Sequence, residues 1–207
     1  MSDINDTDQV RILLEESKAW GFLGPGPVDQ HIAHSMTYVH AIADARTVLD
    51  LGSGGGVPGL VLATVLNTTE FALLDSNVRR CEFLRRATEQ LGMTGRVRVI
   101  EGRAEELARD DELRHHFDAV VARSFGPPSV VAECAVGFLD NQGVLVVSEP
   151  PGDTSSRWDP KGLAILGLAV GERISTPDGS LQVIQAVSYC DDKYPRKTGT
   201  PTKRPLF

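Results

Sequence analysis

A glycine-rich run is the part of this sequence whose residue types and spacing most clearly suggest chemistry. The run Asp50–Gly59 reads DLGSGGGVPG and follows the β-rich Thr47–Leu49. Glycines let the backbone turn sharply and approach a ligand with no side chain between them, and proline suits the first turn of a following helix. Val57 stands where the dinucleotide-binding pattern has a glycine, and no lysine follows as in a phosphate-binding P-loop. The run therefore predicts a small-molecule site; the alternative is a purely structural turn.

The acid two positions before the first glycine makes the loop resemble the first motif of class I S-adenosylmethionine-dependent methyltransferases. A second strand, Phe71–Leu74, ends in Asp75. A carboxylate at that place can accept hydrogen bonds from both ribose hydroxyls of a nucleoside. The alternative is that Asp75 caps the helix predicted to begin near Val78. We expect the ribose role, because loop and acid occur together.

Two more strand ends carry candidate residues. After the strand ending at Glu101, the turn at 102–106 would lie beside the adenine of such a cofactor, although Glu105 could instead cap a short helix. The strand Phe117–Ala122 brings Arg123 to its carboxyl end, where ligands bind in open α/β sheets. Its planar guanidinium suits the carboxylate of a methionine moiety or a substrate phosphate. The alternative for Arg123 is a surface ion pair with Asp118 or Glu133.

These residues need a framework that brings strand ends together, and the hydrophobic pattern predicts one. Short β-rich runs alternate with helical ones, which indicates an α/β fold with a mostly parallel sheet and helices on both faces. We expect an N-terminal helical segment over 1–46 and a single domain over 47–207. The predicted helices cover 10–23, 30–43 (capped by Asp29), 58–66, 78–91, 104–108 and 129–138; the predicted strands cover 47–51, 71–74, 97–101, 117–122, 143–148, 164–170 and 181–189, with a loop at 152–161.

Composition narrows the functional classes. The chain has 207 residues, is 41% hydrophobic and has a net charge of −7, which suits one globular domain and argues against a general nucleic-acid binder. Two segments, 79–103 and 191–207, are nevertheless basic. No run is long and apolar enough to span a membrane, and three scattered cysteines indicate a reducing cytoplasm. His31 and His34 lack the partners of a metal site, so we expect no metal.

Taken together, these motifs resemble the bacterial 16S ribosomal RNA guanine-N7 methyltransferases, a family also called glucose-inhibited division protein B. The resemblance covers most of residues 28–150 and the last fourteen, and its basic, proline-rich tail is the most specific part. The matching segments are Val48–Gly59, Leu73–Ser76 with Arg79, Arg80, Phe83 and Leu84, Gly102–Glu106, Ala122–Phe125 and Tyr194–Leu206.

The resemblance implies a Rossmann-like class I methyltransferase fold, S-adenosyl-L-methionine as cofactor, and 16S ribosomal RNA or the small ribosomal subunit as partner of a cytoplasmic monomer. It implies no catalytic residue beyond positioning by Arg123, because guanine N7 needs alignment but no general base. The resemblance implies cofactor contacts at Gly52, Val57, Ala104, Glu105 and Arg123. With the loop and strand-end residues Ser53, Gly54, Gly56, Asp75 and Ser76, these are the predicted cofactor-binding residues. The implied RNA-binding residues are Arg79, Arg80, Arg196, Lys197, Lys203 and Arg204, and the tail is expected to serve RNA rather than the fold.

The chain departs from the family pattern at a few positions. Gln30 and His34 stand where the family has an arginine and an aspartate, and Glu149 stands at a family lysine. An acid there would oppose phosphate binding unless Arg157 or Lys161 compensates. Two alternatives therefore stay open: a methyltransferase with a changed acceptor, in which Glu149 binds an amine or hydroxyl, and a non-catalytic cofactor- or ribosome-binding module.

Overall fold

The computed structural model describes residues 6–152 and 157–207. The first five residues of the expected N-terminal segment and the middle of the loop predicted over 152–161 lie outside the described residues. Within the described ranges, no helix could cross a membrane. The helices are α1 Asp6–Ala19, α2 Val28–Met36, α3 Gly59–Val65, α4 Val78–Gln90, α5 Ala104–Leu107, α6 Pro128–Val136, α7 Pro160–Ile165 and α8 Thr200–Lys203, with a 3-10 turn at Val39–Ile42. The strands are β1 Thr47–Leu51, β2 Glu70–Asp75, β3 Val97–Glu101, β4 Phe117–Ala122, β5 Leu139–Glu149, β6 Leu168–Thr176 and β7 Gly179–Ala186.

The strands form one sheet in the order β3-β2-β1-β4-β5-β7-β6. The first five strands in that order are parallel, and β7 pairs antiparallel with both β5 and β6. The expectation of a mostly parallel sheet is therefore confirmed. The chain order reverses between β1 and β4, and such a switch point opens a crevice at the carboxyl ends of the strands.

Hydrophobic layers cover both faces of the sheet. On one face α5, α6 and α7 pack against Leu49 and Leu51 of β1, and on the other α1 to α4 pack against Val48. Successive residues of a strand point to opposite faces, which explains how one strand serves both layers. The N-terminal helices therefore share a core with α3 and α4.

Local chemistry explains where the elements depart from prediction. The first helix begins earlier and ends at Ala19, and α2 begins at Val28, so Asp29 lies inside it and does not cap it. The strand predicted over 164–170 was wrong at its start, because α7 occupies Pro160–Ile165. Asp159 caps that helix by accepting hydrogen bonds from the backbone N–H groups of Lys161 (3.2 Å) and Gly162 (3.1 Å).

Candidate functional site

The glycine loop follows β1 at the switch point of the sheet. Gly52, Gly54 and Gly56 have φ values of +75°, +54° and +100°. A side chain at Gly52 would also collide with Phe125, since an added Cβ would lie 2.7 Å from its ring. Only glycine suits this position, because the backbone is left-handed and the facing ring leaves no space. The loop thus presents bare backbone, as the sequence predicts.

Asp50 stabilises the glycine loop through a hydrogen bond to its last residue, Gly59. Its side chain is fully buried, and its Oδ2 accepts a hydrogen bond from the Gly59 backbone N–H at 3.0 Å. Burial raises the pKa of this carboxyl to about 7. Its Oδ1 is buried and has no hydrogen-bond partner among the described residues. The sequence pattern predicted that Asp50 belongs to the glycine-loop motif, but it indicated no separate role for this residue.

Asp75 joins the end of β2 to the loop. Its Oδ2 accepts from the Gly54 N–H and its Oδ1 accepts from the Asn77 N–H, both at 2.8 Å. The N-cap of α4 is Asn77, whose side chain accepts from the Arg80 N–H at 3.2 Å, so the capping alternative for Asp75 is wrong. Asp75 is 5% exposed and lies at the wall of a cavity.

Two cavities surround the loop and bring most predicted cofactor residues together. The strand-end cavity, about 260 Å³, is lined by Gly52, Asp75, Ser76, Ala104 and Glu105, among others. The loop cavity, about 200 Å³, is lined by predicted residues Ser53, Gly54, Val57 and Arg123 and shares Gly52 with the first. Gly56 lines neither, and its N–H donates to the Ser53 carbonyl at 2.8 Å to close the turn.

Arg123 lies half-buried in the loop cavity and is held by a histidine. Its Nη2 donates to His31 Nδ1 at 2.7 Å, while His31 Nε2 donates to the Gly24 carbonyl at 3.2 Å. Burial, and secondly the charge of Arg123, lower the pKa of His31, which keeps Nδ1 free to accept. Sequence reasoning missed this role for His31, because the two residues are 92 positions apart.

The second terminal nitrogen of Arg123, Nη1, is buried and unpaired among the described residues. The predicted alternatives do not form, since Asp118 accepts from the backbone of Arg46 and Thr47 and Glu133 pairs with Arg196. A buried guanidinium donor without a partner is costly, and a ligand carboxylate would satisfy it.

The C-terminal tail packs against the domain, which overturns the expectation that it serves RNA rather than the fold. Arg196 donates through Nε (2.7 Å) and Nη2 (2.6 Å) to the fully buried carboxylate of Glu133 in α6. Leu206 N–H and Phe207 N–H donate to the Ser129 hydroxyl at 2.8 Å and 3.3 Å. Arg196 is thus part of the fold, because its fork is occupied by a buried anion.

The same tail reaches the strand-end cavity. The Gly199 N–H donates to Glu105 Oε1 at 2.9 Å, and Thr202 lines the cavity. Glu105 therefore does not cap α5, whose N-cap, Arg103, makes no side-chain capping bond. The pairing depends on residues 94 positions apart, so no local pattern could have predicted it.

The remaining predicted RNA-binding residues occupy different surroundings. Arg79 is exposed at the start of α4. Arg80 lines both the strand-end cavity and the loop cavity, and its Nη1 lies 3.7 Å from Asp75 Oδ2. Lys197, Lys203 and Arg204 are exposed on the tail. Contact of these residues with RNA stays a prediction.

A third cavity, the hairpin cavity, lies between the end of β5 and the β6–β7 turn. It measures about 680 Å³ and adjoins the loop cavity through Arg123 and Ser124. Glu149 lies at its edge with a fully buried side chain, and accepts hydrogen bonds from Arg157 Nη1 (2.7 Å) and Trp158 Nε1 (3.0 Å). The suggestion that Glu149 itself binds an acceptor amine or hydroxyl is wrong, because both oxygens are occupied and inaccessible. Lining residues include His34, Arg123, Phe125, Ser148, Pro150, Arg157, Pro177 and Asp178.

His34 lies between the helical segment and the β6–β7 turn. Burial, and secondly the charge of Arg123, lower the pKa of His34 to about 4.

The described residues hold no group of three His, Cys, Asp or Glu side chains suited to a metal ion. The three cysteines are buried and unpaired.

Methyltransferases are among the solved structures that have a similar fold. An O-methyltransferase of Bacillus cereus in complex with SAH matches with a TM-score of 0.61 and 15% identity, over 86% of this chain and 90% of that one. A methyltransferase of Podospora anserina bound to SAH also matches with a TM-score of 0.61 and 16% identity, over 85% of this chain and 87% of that one. The fold is therefore that of the class I S-adenosylmethionine-dependent methyltransferases.

Sequence relatives narrow the family. A protein of Deinococcus deserti named ribosomal RNA small subunit methyltransferase G is 35% identical over 86% of this chain and 76% of its own length. A protein of the same name from Prochlorococcus marinus is 31% identical over 76% of this chain, which spans 66% of that relative, just under two thirds. The family model for rRNA small subunit methyltransferase G matches residues 26–149. The chain therefore belongs to the ribosomal RNA small subunit methyltransferase G family.

Proposed function

We propose that this protein transfers a methyl group from S-adenosyl-L-methionine to guanine N7 of 16S ribosomal RNA in the small ribosomal subunit. The observation that carries the proposal is the placement of two groups beside the glycine loop: the Asp75 carboxylate, and a buried Arg123 nitrogen that lacks a partner among the described residues. These two groups match the opposite ends of the cofactor, and the family of the chain supplies the acceptor class.

The described residues fit the cofactor at three places. Arg123 Nη1 would donate to the methionine carboxylate, which would satisfy the buried donor. Asp75 would accept from the ribose hydroxyls while it keeps the backbone contacts that hold the loop. The adenine would lie in the strand-end cavity near Ala104 and Glu105.

The chemistry requires alignment more than acid–base catalysis. S-adenosyl-L-methionine, held by Arg123 and Asp75, would supply an electrophilic sulfonium methyl group for transfer to guanine N7. N7 attacks through a lone pair and carries no proton, so no side chain has to remove one. His31 orients Arg123 through the hydrogen bond to Nη2, which holds the guanidinium beside the glycine loop.

Cellular location, oligomeric state and RNA contacts are part of the same proposal. We place the protein in the cytoplasm as a monomer, with the segment over 1–46 as an accessory to the domain over 47–207. Exposed Arg79, Lys197, Lys203 and Arg204 are the proposed phosphate contacts. Arg80 is proposed to act on the cofactor, because it lines the strand-end cavity beside Asp75.

Methyl transfer from labelled S-adenosylmethionine to small ribosomal subunits that lack the modification tests this function. We expect label in 16S ribosomal RNA, at a single guanine that chemical cleavage specific for N7-methylguanine then maps. Label in another RNA or in a small molecule would support a changed acceptor. Calorimetric binding of the cofactor without any transfer would support a non-catalytic module.

A further inference from the structure

The hairpin cavity is the space next to the glycine loop in which an acceptor can lie. It shares Arg123 with the loop cavity, and Ser124 lines all three cavities. Its volume of about 680 Å³ exceeds that of either neighbour and has room for a nucleotide. Phe125, Pro150 and Pro177 supply flat apolar surfaces against which a heterocycle can stack.

A buried charge orients one side chain in this cavity. The Glu149 carboxylate would be costly to bury alone, and the bonds from Arg157 and Trp158 offset that cost. The Arg157 side chain is 35% exposed, so part of its guanidinium faces the open space. Over residues 6–152 and 157–207, the only hydrogen bond of that guanidinium is the Nη1 bond to Glu149. None of the described residues accepts a hydrogen bond from its other N–H groups.

The charges around the cavity favour a neutral ligand over a phosphate. Arg123 and Arg157 are offset by Glu149 and Asp178, which line the same space. His34 is uncharged near neutral pH, because burial and Arg123 lower its pKa to about 4. A planar base that offers hydrogen-bonding groups without net charge suits these walls better than an anion does.

We propose that Arg157, oriented by Glu149 and Trp158, donates a hydrogen bond to O6 of the acceptor guanine. The assignment rests on the proposed function and names the residue that recognises its base. O6 and N7 are both acceptors on one edge of guanine, and adenine has an amino group in place of O6. A hydrogen bond from one Arg157 N–H to O6 alone leaves the N7 lone pair free to react.

Two variants test the assignment without leaving the Glu149 charge buried alone. Arg157→Lys keeps a cation beside Glu149 but lacks the second arm of the fork. The double variant Arg157→Ala/Glu149→Gln removes both charges and keeps an acceptor for Trp158. We expect either change to lower kcat/KM for small subunits about tenfold to a hundredfold, with cofactor affinity and Tm close to wild type. Lys161→Ala, which removes an exposed cation of α7 outside the cavity, is the matched control and should retain wild-type kcat/KM.

A second measurement identifies the atom that Arg157 contacts. Small subunits are reconstituted with 2-aminopurine, which lacks O6, at the guanine that the wild-type protein methylates. We expect the base change to slow the wild-type protein by the same factor as the double variant, and to slow the double variant no further. Losses that multiply, or wild-type rates for both Arg157 variants, would overturn the assignment. Failure of the wild-type protein to methylate N7 would instead overturn the proposed function.

Discussion

Several ionisable residues around the glycine loop are buried, and each has a distinct partner. Asp75 is bonded to two backbone N–H groups, Arg123 to His31, and Asp50 to the Gly59 N–H. Because these groups are shielded from water, their hydrogen bonds are stronger and losing one is more costly than at the surface. Single substitutions at these positions should therefore have clear effects.

Replacing Asp75 by alanine should weaken S-adenosylmethionine binding at least tenfold. The change removes two acceptors for ribose hydroxyls, worth roughly 1.5–3 kcal/mol each, and releases the Gly54 N–H from the loop. Calorimetry on the folded variant measures the affinity. Glu101→Ala is the matched control, since Glu101 is in register with Asp75 on β3 but does not line the cavity. Equal affinity for the Asp75 variant and wild type would remove the ribose assignment.

Asp50 should make the unliganded protein less stable as pH rises from about 4 to 7. Its folded pKa is raised from 3.8 to about 7, chiefly by burial, so the folded state binds more protons than the unfolded state within that window. The free energy of unfolding should then fall by up to about 1.4 kcal/mol for each pH unit, and level off above pH 7. Urea unfolding at pH 5, 6 and 8 measures it.

The variant Asp50→Asn should lack this particular slope. Its side-chain oxygen can still accept from the Gly59 N–H, and it has no proton to lose. Asp50→Asn should therefore gain stability relative to wild type as pH rises, while Asp111→Asn, at an exposed position, should follow wild type. If the free energy of unfolding depended on pH in the same way in all three proteins, burial would not raise the pKa of Asp50.

At the scale of elements, α6 and the tail act as one unit. Every residue from Ser129 to Val136 is buried, including Glu133, and the tail supplies the cation that this acid requires. The tail then passes Glu105 and ends against Ser129, so it joins α6 to the edge of the strand-end cavity. A segment that reads as a soluble basic tail is thus structural.

Arg196→Ala should lower the free energy of unfolding by about 2–4 kcal/mol. The variant leaves the buried Glu133 carboxylate without its guanidinium partner. Because Arg196 is partly exposed, we expect a loss of stability near the lower end of the range for buried ion pairs. Lys197→Ala, at the exposed neighbouring position, should change stability by less than about 0.5 kcal/mol. Denaturant midpoints compare the two. Equal stability of both variants would show that the ion pair contributes nothing.

The charge distribution matters at the scale of the whole molecule. The chain has a net charge of −7, so RNA must approach surfaces on which cations are concentrated. Lys203 and Arg204 are exposed beside Thr202, which lines the strand-end cavity, whereas Arg46 and Arg98 lie at the opposite, amino end of the strands. These pairs carry the same charge at different ends of the sheet.

Lys203→Ala/Arg204→Ala should weaken RNA binding and flatten its salt dependence. Each lost phosphate contact lowers the slope of log K against log salt by about 0.7–0.9, so the double variant should lose about 1.5. Arg46→Ala/Arg98→Ala should leave the slope near that of wild type. Filter binding of small subunits over a series of salt concentrations measures both, and identical slopes for the two double variants would rule out a local role for the tail.

The hydrophobic pattern and the motifs predicted a mostly parallel sheet, the glycine loop and the strand-end residues around it. Alternating strand and helix patterns extend over a few residues, and parallel strands place their carboxyl ends at one edge, so Gly52, Asp75, Ala104 and Arg123 could be assigned to one region. The start of α7 shows the limit of this reasoning. Asp159 caps that helix and Pro160 is its first residue, but a brief apolar run does not distinguish a short helix from the start of a strand.

The partners of the charged residues depend on tertiary packing. His31 with Arg123, Glu133 with Arg196 and Gly199 with Glu105 are separated by 92, 63 and 94 positions. Sequence spacing carries no information about such contacts, since the packing of distant elements determines both the distance and the burial that make each pair strong. Glu149 and Arg157 are only 8 positions apart, yet the role of Glu149 also depends on packing. The complete burial of its side chain shows that it holds Arg157 in place and does not bind the acceptor itself.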